Sequence, residues 1–237
     1  MTLSPKGLWI GALLVAGLAG MLIATAGALS APSPLQLRAH LAGIARDGLP
    51  PARTPYPEQL PCGDILVPID KQHELAPDCV PNDLVELAGL GLYLRADAAA
   101  AFAALTAGAS RDGYSISASS AYRSYATQEA TFAWWTEQLG PEEAERTSAR
   151  AGHSEHQLGT TIDLCAPAGC LESFSATPEA AWVAAHSWEY GFVVSYPNER
   201  EAVTGYVGEA WHVRYVGVDV AVRVRESGLT LHEYLLR

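Results

Sequence analysis

The chain has 237 residues, 49% of them hydrophobic and 17% charged, a composition that fits one well-packed domain with an appendage and excludes a disordered chain. Its formal net charge is −11, from 26 acidic against 15 basic side chains, with no run of Lys or Arg. No nucleic-acid partner is expected, because phosphate binding needs clustered basic charge.

Residues 1–30 stand apart from the rest. Lys6 is followed by an uncharged stretch, Gly7 to Ser30, that includes Leu8, Trp9, Ile10, Leu13, Leu14 and Leu18. A bilayer takes ~20 apolar residues to cross, so the stretch is read as an N-terminal membrane anchor. Ala26-Gly27-Ala28 offers a small-x-small cleavage site, which makes a secretory signal the competing reading, although the run exceeds the roughly 7 to 15 residues of a signal core. Either way the remainder is expected to be exported to the cell envelope. Residues 31–59 carry Pro32, Pro34, Pro50, Pro51, Pro55 and Pro57 and read as a short helix over Leu35–Ile44 followed by an extended linker. The folded domain is expected over 60–237.

Four cysteines agree with export, since disulfides persist in oxidising compartments. Cys62 and Cys79 flank one segment, and Cys165 and Cys170 close the loop Ala166-Pro167-Ala168-Gly169. Of the three connectivities four cysteines allow, this sequential one is expected, and the absence of a C-x-x-C spacing argues against a Cys-rich metal site.

Along the domain, Ile65-Leu66-Val67-Pro68-Ile69 reads as a strand or extended edge segment, and Asn82–Ala88 as a short helix capped by Asn82 and stopped by Gly89. Asp97–Ala107, nearly all Ala, Phe and Leu, reads as a buried helix ending at Gly108. Tyr114–Ser120 alternates and fits a strand, followed by a helix from Tyr125 to about Leu139 that stops at Gly140-Pro141. Glu142 and Glu143 suit the positive end of another short helix and Arg150 its negative end. Thr177 before Pro178 is an N-cap and first-turn pair opening a further helix. Thr160–Leu164, Phe192–Tyr196 and Trp211–Tyr215 read as strands. Together these predict an α+β fold with a mainly antiparallel sheet, flanking helices and a cleft on one face of the sheet.

The chemistry sits in two segments, Ser154-Glu155-His156-Gln157-Leu158-Gly159-Thr160-Thr161-Ile162-Asp163 and Glu209-Ala210-Trp211-His212. Two imidazoles and a carboxylate, His156, Asp163 and His212, are a three-ligand set for Zn2+, and a catalytic zinc keeps the fourth position for water. Gly159 lets the chain turn, so that His156 lies on a loop and Asp163 on a strand whose Ile162 and Leu164 face the core. Period-two alternation then puts His212 and Arg214 on one face, with Trp211, Val213 and Tyr215 on the other. Glu209, three residues before His212, can take a proton from water whose pKa zinc lowers to ~7 and return it to a departing amine.

Ser120-Ala121-Tyr122-Arg123-Ser124-Tyr125 with Gln128, the His156 segment, Tyr190-Gly191-Phe192 with Ser195-Tyr196-Pro197, and Gly205-Tyr206 leading to Glu209 and His212 resemble the VanY-type D-alanyl-D-alanine carboxypeptidases. These are zinc peptidases related to lysostaphin-type peptidases and the hedgehog domain. The resemblance runs from about Leu66 to Gly217. It implies zinc held by His156, Asp163 and His212, Glu209 as catalytic base, and Arg123, Gln128, Ser154 and Tyr196 as substrate-binding residues. The implied reaction removes the last D-alanine from peptidoglycan stem peptides. Two further readings stay open: an L,D-carboxypeptidase acting on tetrapeptide stems, and a non-catalytic zinc-containing wall-binding module. Retention of Glu209 beside all three ligands argues against the second. His153 is expected at the rim of the pocket.

Overall fold

The computed structural model describes residues 56–237. The expected anchor over 1–30 and the expected helix over Leu35–Ile44 lie outside the described residues. No helix among the described residues is long and apolar enough to cross a membrane.

The elements begin with β1 (Gln59–Leu60), β2 (Glu74–Leu75), β3 (Leu84–Glu86), β4 (Tyr93–Arg95), α1 (Ala96–Arg111), β5 (Ser117–Ser120), α2 (Tyr125–Leu139) and α3 (Pro141–Thr147). A 3-10 turn over Glu155–Leu158 leads to β6 (Thr161–Ala166), β7 (Gly169–Cys170), α4 (Glu172–Ser175) and α5 (Pro178–His186). A second 3-10 turn over Ser187–Tyr190 precedes β8 (Phe192–Val194), α6 (Glu201–Thr204), β9 (His212–Tyr215), α7 (Val218–Ser227) and α8 (Leu231–Leu235).

The principal sheet runs β5-β6-β9-β8 with β7 added to β6, and every pairing in it is antiparallel. Its two faces differ as alternation predicts. Ile162, Leu164 and Val213 are fully buried and pack with Phe102, Leu105 and Phe174 in the main core, each contributing about 1.5–3 kcal/mol of burial. Asp163 and His212 are direct cross-strand partners, so their side chains emerge side by side on the opposite face. β5 carries a bulge: Ala118 and Ser120 pair with Leu164 and Asp163, and Ser119 Oγ donates to the Asp163 carbonyl at 3.2 Å. The extra residue turns Ser120 toward Arg123.

Helix signals carried by local chemistry are realised. Ser124 caps α2 by accepting from the Thr127 amide, and Thr177 caps α5 by accepting from the Ala180 amide, with Pro178 at the first helical position. The disulfides join Cys62 to Cys79 and Cys165 to Cys170, as expected.

Five expectations need correction, the first three because a distant partner overrides a local signal. Asn82–Ala88 does not form a helix: Leu84–Glu86 is strand β3, zipped antiparallel to β4, with the reversal made through positive φ at Ala88, Gly89 and Gly91. Ile65–Ile69 joins no sheet; the carbonyls of Ile65 and Val67 instead accept from the Arg214 guanidinium at 2.8 and 2.7 Å. Helix α1 runs through Gly108 to Arg111, because Gly108 is a packing glycine: a Cβ there would stand 2.0 Å from the Tyr190 hydroxyl. The β8 strand stops at Val194, two residues short of Tyr196, and α3 ends at Thr147, leaving Arg150 beyond it.

Gly159 joins the His156 turn to β6 at φ +70°, and an added Cβ would meet Leu84 Cδ2 at 2.8 Å and Arg95 Cγ at 3.2 Å. Gly159→Ala should therefore destabilise the domain by about 1–3 kcal/mol, read as a lowered urea midpoint at unchanged m-value; an unchanged midpoint would contradict this account of the turn.

Candidate metal centre

His156 is presented by the 3-10 turn and held by its own Nδ1, which lies 2.7 Å from the Ala121 carbonyl. A carbonyl only accepts, so Nδ1 carries the proton and Nε2 is left with its lone pair. That Nε2 stands 3.2 Å from Asp163 Oδ2. His212 is held the other way round: its Nε2 lies 3.0 Å from Glu155 Oε2, and its Nδ1 faces Asp163 Oδ1 at 3.2 Å. The tautomer of each ring is thus set by a partner behind it. Tetrahedral ligands at ~2.0–2.1 Å from a zinc ion lie about 3.4 Å apart, close to these separations.

One donor atom from each of His156, Asp163 and His212 lies within 4.8 Å of the other two. Asp163 Oδ1 is buried and has no hydrogen-bond partner. A buried carboxylate whose two oxygens each face one imidazole nitrogen, one of those oxygens being without a hydrogen-bond partner, completes a donor set suited to a divalent cation, so these residues fit the metal that the sequence implies.

The electrostatics agree. Burial works against charge on His212, but its close pairing with the Asp163 and Glu155 carboxylates, with the Glu209 carboxylate nearby, raises its pKa to about 10. Three carboxylates thus create a field that favours positive charge at that point. Burial, with the Arg123 charge nearby, lowers His156. Glu209 Oε2 stands 3.4 Å from His212 Nδ1, and the Glu209 side chain is 12% exposed. Burial, reinforced by Asp163 and Glu155 against the pull of His212 and Arg123, raises Glu209 to about 8. A carboxyl group held there exchanges a proton near neutral pH, the property a general acid–base needs.

Arg123 enters the same cleft with two of its N–H groups already engaged. Nη1 donates to Gln128 Oε1 at 2.7 Å and Nη2 to Ser120 Oγ at 2.9 Å, with Asp163 Oδ2 3.9 Å away. The amide of Gln128 is spent inside the protein, since its Nε2 donates to the Ala149 carbonyl at 2.6 Å. Ser154 is buried at the start of the His156 turn and lines the cleft. The Tyr196 ring packs 4.7 Å from His212 and 5.0 Å from Tyr206, and burial pushes its phenol far above the ordinary value. All eight residues expected to hold metal, bind substrate or move the proton line one cleft of about 440 Å³. His153 does not line it: its Nδ1 donates to the Asp70 carbonyl at 2.7 Å, on the side of the N-terminal segment.

Sequence reasoning passed over Glu155. Its carboxylate lies between His212 and Arg214, whose Nη1 donates to Oε1 at 2.7 Å. Arg214 is wholly buried, and its other arm holds the two carbonyls of the Ile65–Val67 segment. Burial disfavours the Glu155 carboxylate, yet Arg214 and His212 hold its pKa at about 2. The alternation in β9 placed Arg214 on the chemical face; nothing local announced a partner 59 residues away.

An antiparallel sheet that presents two imidazoles, a carboxylate and a proton-exchanging glutamate in one cleft defines a metal-dependent hydrolase. The chain belongs to the VanY D-alanyl-D-alanine carboxypeptidase family, whose model matches residues 91–218. That span contains every residue placed in the cleft chemistry and excludes the Cys62–Cys79 bridge. Among relatives, YodJ of Bacillus subtilis is 34% identical over 182 residues, 72% of this chain and 67% of its own length. A D-alanyl-D-alanine carboxypeptidase of Enterococcus faecium is 29% identical over 75% of this chain and 59% of its own length. Among solved structures, the LdcB LD-carboxypeptidase superposes with TM-score 0.69 at 33% identity, covering 79% of this chain and 90% of that one. The D,D-pentapeptidase VanY from a VanB-type resistance cassette, in complex with Zn(II), gives TM-score 0.64 at 27% identity, covering 72% and 98%.

Glu155→Gln keeps an acceptor for His212 but removes the charge behind it, and should weaken divalent-metal binding about 10–100-fold in a chelator competition titration. Arg214→Met leaves the Glu155 carboxylate buried and unpaired and should destabilise the fold by about 3–5 kcal/mol. In the metal-free protein, the Glu155 contribution to stability is complete above its ordinary value of 4.5 and is lost as pH falls toward 2. Unaltered metal affinity in Glu155→Gln would remove Glu155 from the metal's support.

Proposed function

We propose that the chain is an exported, zinc-dependent D-alanyl-D-alanine carboxypeptidase that removes the C-terminal D-alanine of peptidoglycan stem peptides. The observation that carries the proposal is the convergence, in one cleft, of a three-donor metal set, a buried glutamate with a pKa raised to about 8 and a partly buried arginine. His156 Nε2, Asp163 and His212 Nδ1 would hold the zinc. Bound there, zinc supplies Lewis acidity, making water acidic enough to lose a proton near neutral pH and polarising a carbonyl. Glu209 would accept that proton as the water oxygen bonds to the scissile carbonyl carbon, and would deliver it to the amine of the departing D-alanine as the C–N bond breaks, leaving a carboxylate on the shortened peptide. Arg123 meets the terminal carboxylate with a planar fork that suits bidentate pairing. Gln128 and Ser120 fix the direction of that fork, so Gln128 acts on the substrate through Arg123. Ser154 supplies a neutral hydrogen bond, and Tyr196 packs the His212 ring on one side while its phenol faces the cleft in its protonated form.

Export fits the two disulfides, and residues 1–30 would tether the domain to the membrane. An L,D-carboxypeptidase on tetrapeptide stems is the second reading, favoured by the likeness to LdcB. Supplying the zinc-loaded protein with a pentapeptide ending in D-Ala-D-Ala and with the matching tetrapeptide, then identifying the released amino acid, separates the two: D-alanine from the pentapeptide is expected. Release from the tetrapeptide alone would establish the second reading, and release from neither would defeat both.

Two variants test the assigned roles. Glu209→Ala should retain stoichiometric zinc and lose roughly two to four orders of magnitude in turnover; loss of metal would make Glu209 a ligand instead. Amidating the peptide C-terminus should weaken hydrolysis by the parent far more than by Arg123→Lys, whose ammonium has no fork to lose. Equal sensitivity in the two proteins would move Arg123 away from the carboxylate.

A further inference from the structure

Behind the metal cleft lies a second, much smaller space. Tyr196 and Tyr206 line both, so two packed phenol rings, 5.0 Å apart, form the wall between them. The chamber measures about 10 Å³, and its lining includes Asp70, Glu155, Ser195, Arg214 and His232 from five separate parts of the chain. Ser195 arrives there by register. Its amide donates to the His212 carbonyl at 3.3 Å, which continues the β8–β9 pairing by one residue and puts its side chain on the same face as His212 and Arg214.

Two of these groups are unmet by the protein. Ser195 is 2% exposed and Arg214 0%, yet the Ser195 hydroxyl and Arg214 Nε are both buried without a hydrogen-bond partner. The outer nitrogens of Arg214 are engaged, Nη1 by Glu155 and Nη2 by the Ile65 and Val67 carbonyls, so Nε is the one left over. Against burial, Arg214, His212 and lastly the Ser195 hydroxyl favour the ionised Glu155 carboxylate. Ser195 therefore lies near that carboxylate without being aligned to it. A buried donor left in this condition carries the full cost of its desolvation.

Size and the sense of the hydrogen bonds decide what fits. A space of about 10 Å³ takes one water molecule and nothing larger. Arg214 Nε–H only donates, the carboxylates of Glu155 and Asp70 only accept, and a hydroxyl does either. A metal cation there would face the Nε–H, and an anion would face the two carboxylates. Water both accepts and donates within that volume.

We infer that the chamber binds one water molecule, which accepts from Arg214 Nε–H, pairs with Ser195 Oγ and gives its remaining proton to a lining carboxylate. Ser195 is thereby a positioning residue for the metal centre. It holds the water that steadies the Arg214 guanidinium, whose far end sets Glu155 against His212. This support lies behind the metal and is independent of which peptide the site cleaves.

The test uses the whole protein with its arginines isotopically labelled. The Arg214 Nε–H resonance should show a nuclear Overhauser cross-peak to a long-lived water, and Ser195→Val, whose methyl groups fill the chamber, should abolish it. In a chelator competition, Ser195→Ala should weaken zinc binding about tenfold, the lower end of the range for outer-shell partners. Ser195→Val should weaken it at least as much and lower Tm, because it shuts the water out. A residue that merely packs would give the opposite order, with valine harmless and alanine costly. No cross-peak in the parent, or one that survives in Ser195→Val, would overturn the water; zinc affinity unchanged in Ser195→Ala would overturn the positioning role. If Ser195→Val does not fold, the parent cross-peak and the alanine titration decide. If the parent takes up no zinc, the metal assignment fails, while the cross-peak in the metal-free protein still decides the water.

Discussion

The buried chain Arg214–Glu155–His212 is the interaction on which the site depends. Arg214 has no exposed surface, and a guanidinium in that position is tolerable only if its charge is paired and most of its donors are met; its Nε finds no partner within the protein. Glu155 meets one arm, and the carbonyls of Ile65 and Val67 meet the other. The same contacts do two tasks. They clamp the Ile65–Val67 segment, which forms no ladder there, onto the face of the sheet that carries the site, and they leave the second oxygen of Glu155 to orient His212. A hydrophobic replacement of the pair would pack as well or better, but it would leave His212 without the acceptor that fixes its tautomer. The pair is therefore better explained by the direction of the His212 ring than by stability.

Around that ring the charges are unevenly matched. Asp163, Glu155 and Glu209 converge on His212, with Arg123 3.9 Å from Asp163 and Arg214 behind Glu155. Glu155 is neutralised by Arg214, so two carboxylates remain to answer to the cleft itself. Asp163 is held ionised by the imidazoles, whereas Glu209 is left with a raised pKa. Two acidic groups a few ångströms apart are thus driven in opposite directions, one toward permanent charge and one toward proton exchange. Such a division separates a ligand from an acid–base group.

How much of this was legible follows from the range over which each residue acts. Thr177 announces its helix because a cap closes within three residues, and β6 and β9 announce their faces because alternation is local. His156, Asp163 and His212 could be assembled because each lies in a short segment with its own turn or strand signal. The failures share a cause. Leu84–Glu86 is a strand only because Tyr93–Arg95 zips against it. Gly108, a stop signal by composition, lies within the helix because the Tyr190 hydroxyl arrives from a distant turn. Glu155 carries no local signal of its role until Arg214 is known to face it, and no spacing rule connects positions so far apart.

The rigidity of the site also has a direction. Asp163 and His212 sit on paired strands whose other face is packed into the main core, so neither can shift without moving that core. His156 is tied to β5's end through the Ala121 carbonyl, and its own carbonyl accepts from the Arg123 amide at 3.2 Å. The metal set and the arginine are thereby fixed relative to one another through backbone. Helix α2 is different: it is anchored at its start by the Ser124 cap and by Gln128, it contacts α3 at its end, and almost nothing along it is buried. Its first turn sets the position of Arg123, while the turns beyond carry side chains with no packing duty toward the core. A helix anchored in this way fixes Arg123 through its first turn and leaves its outer turns free to vary without disturbing the residues that face the metal set.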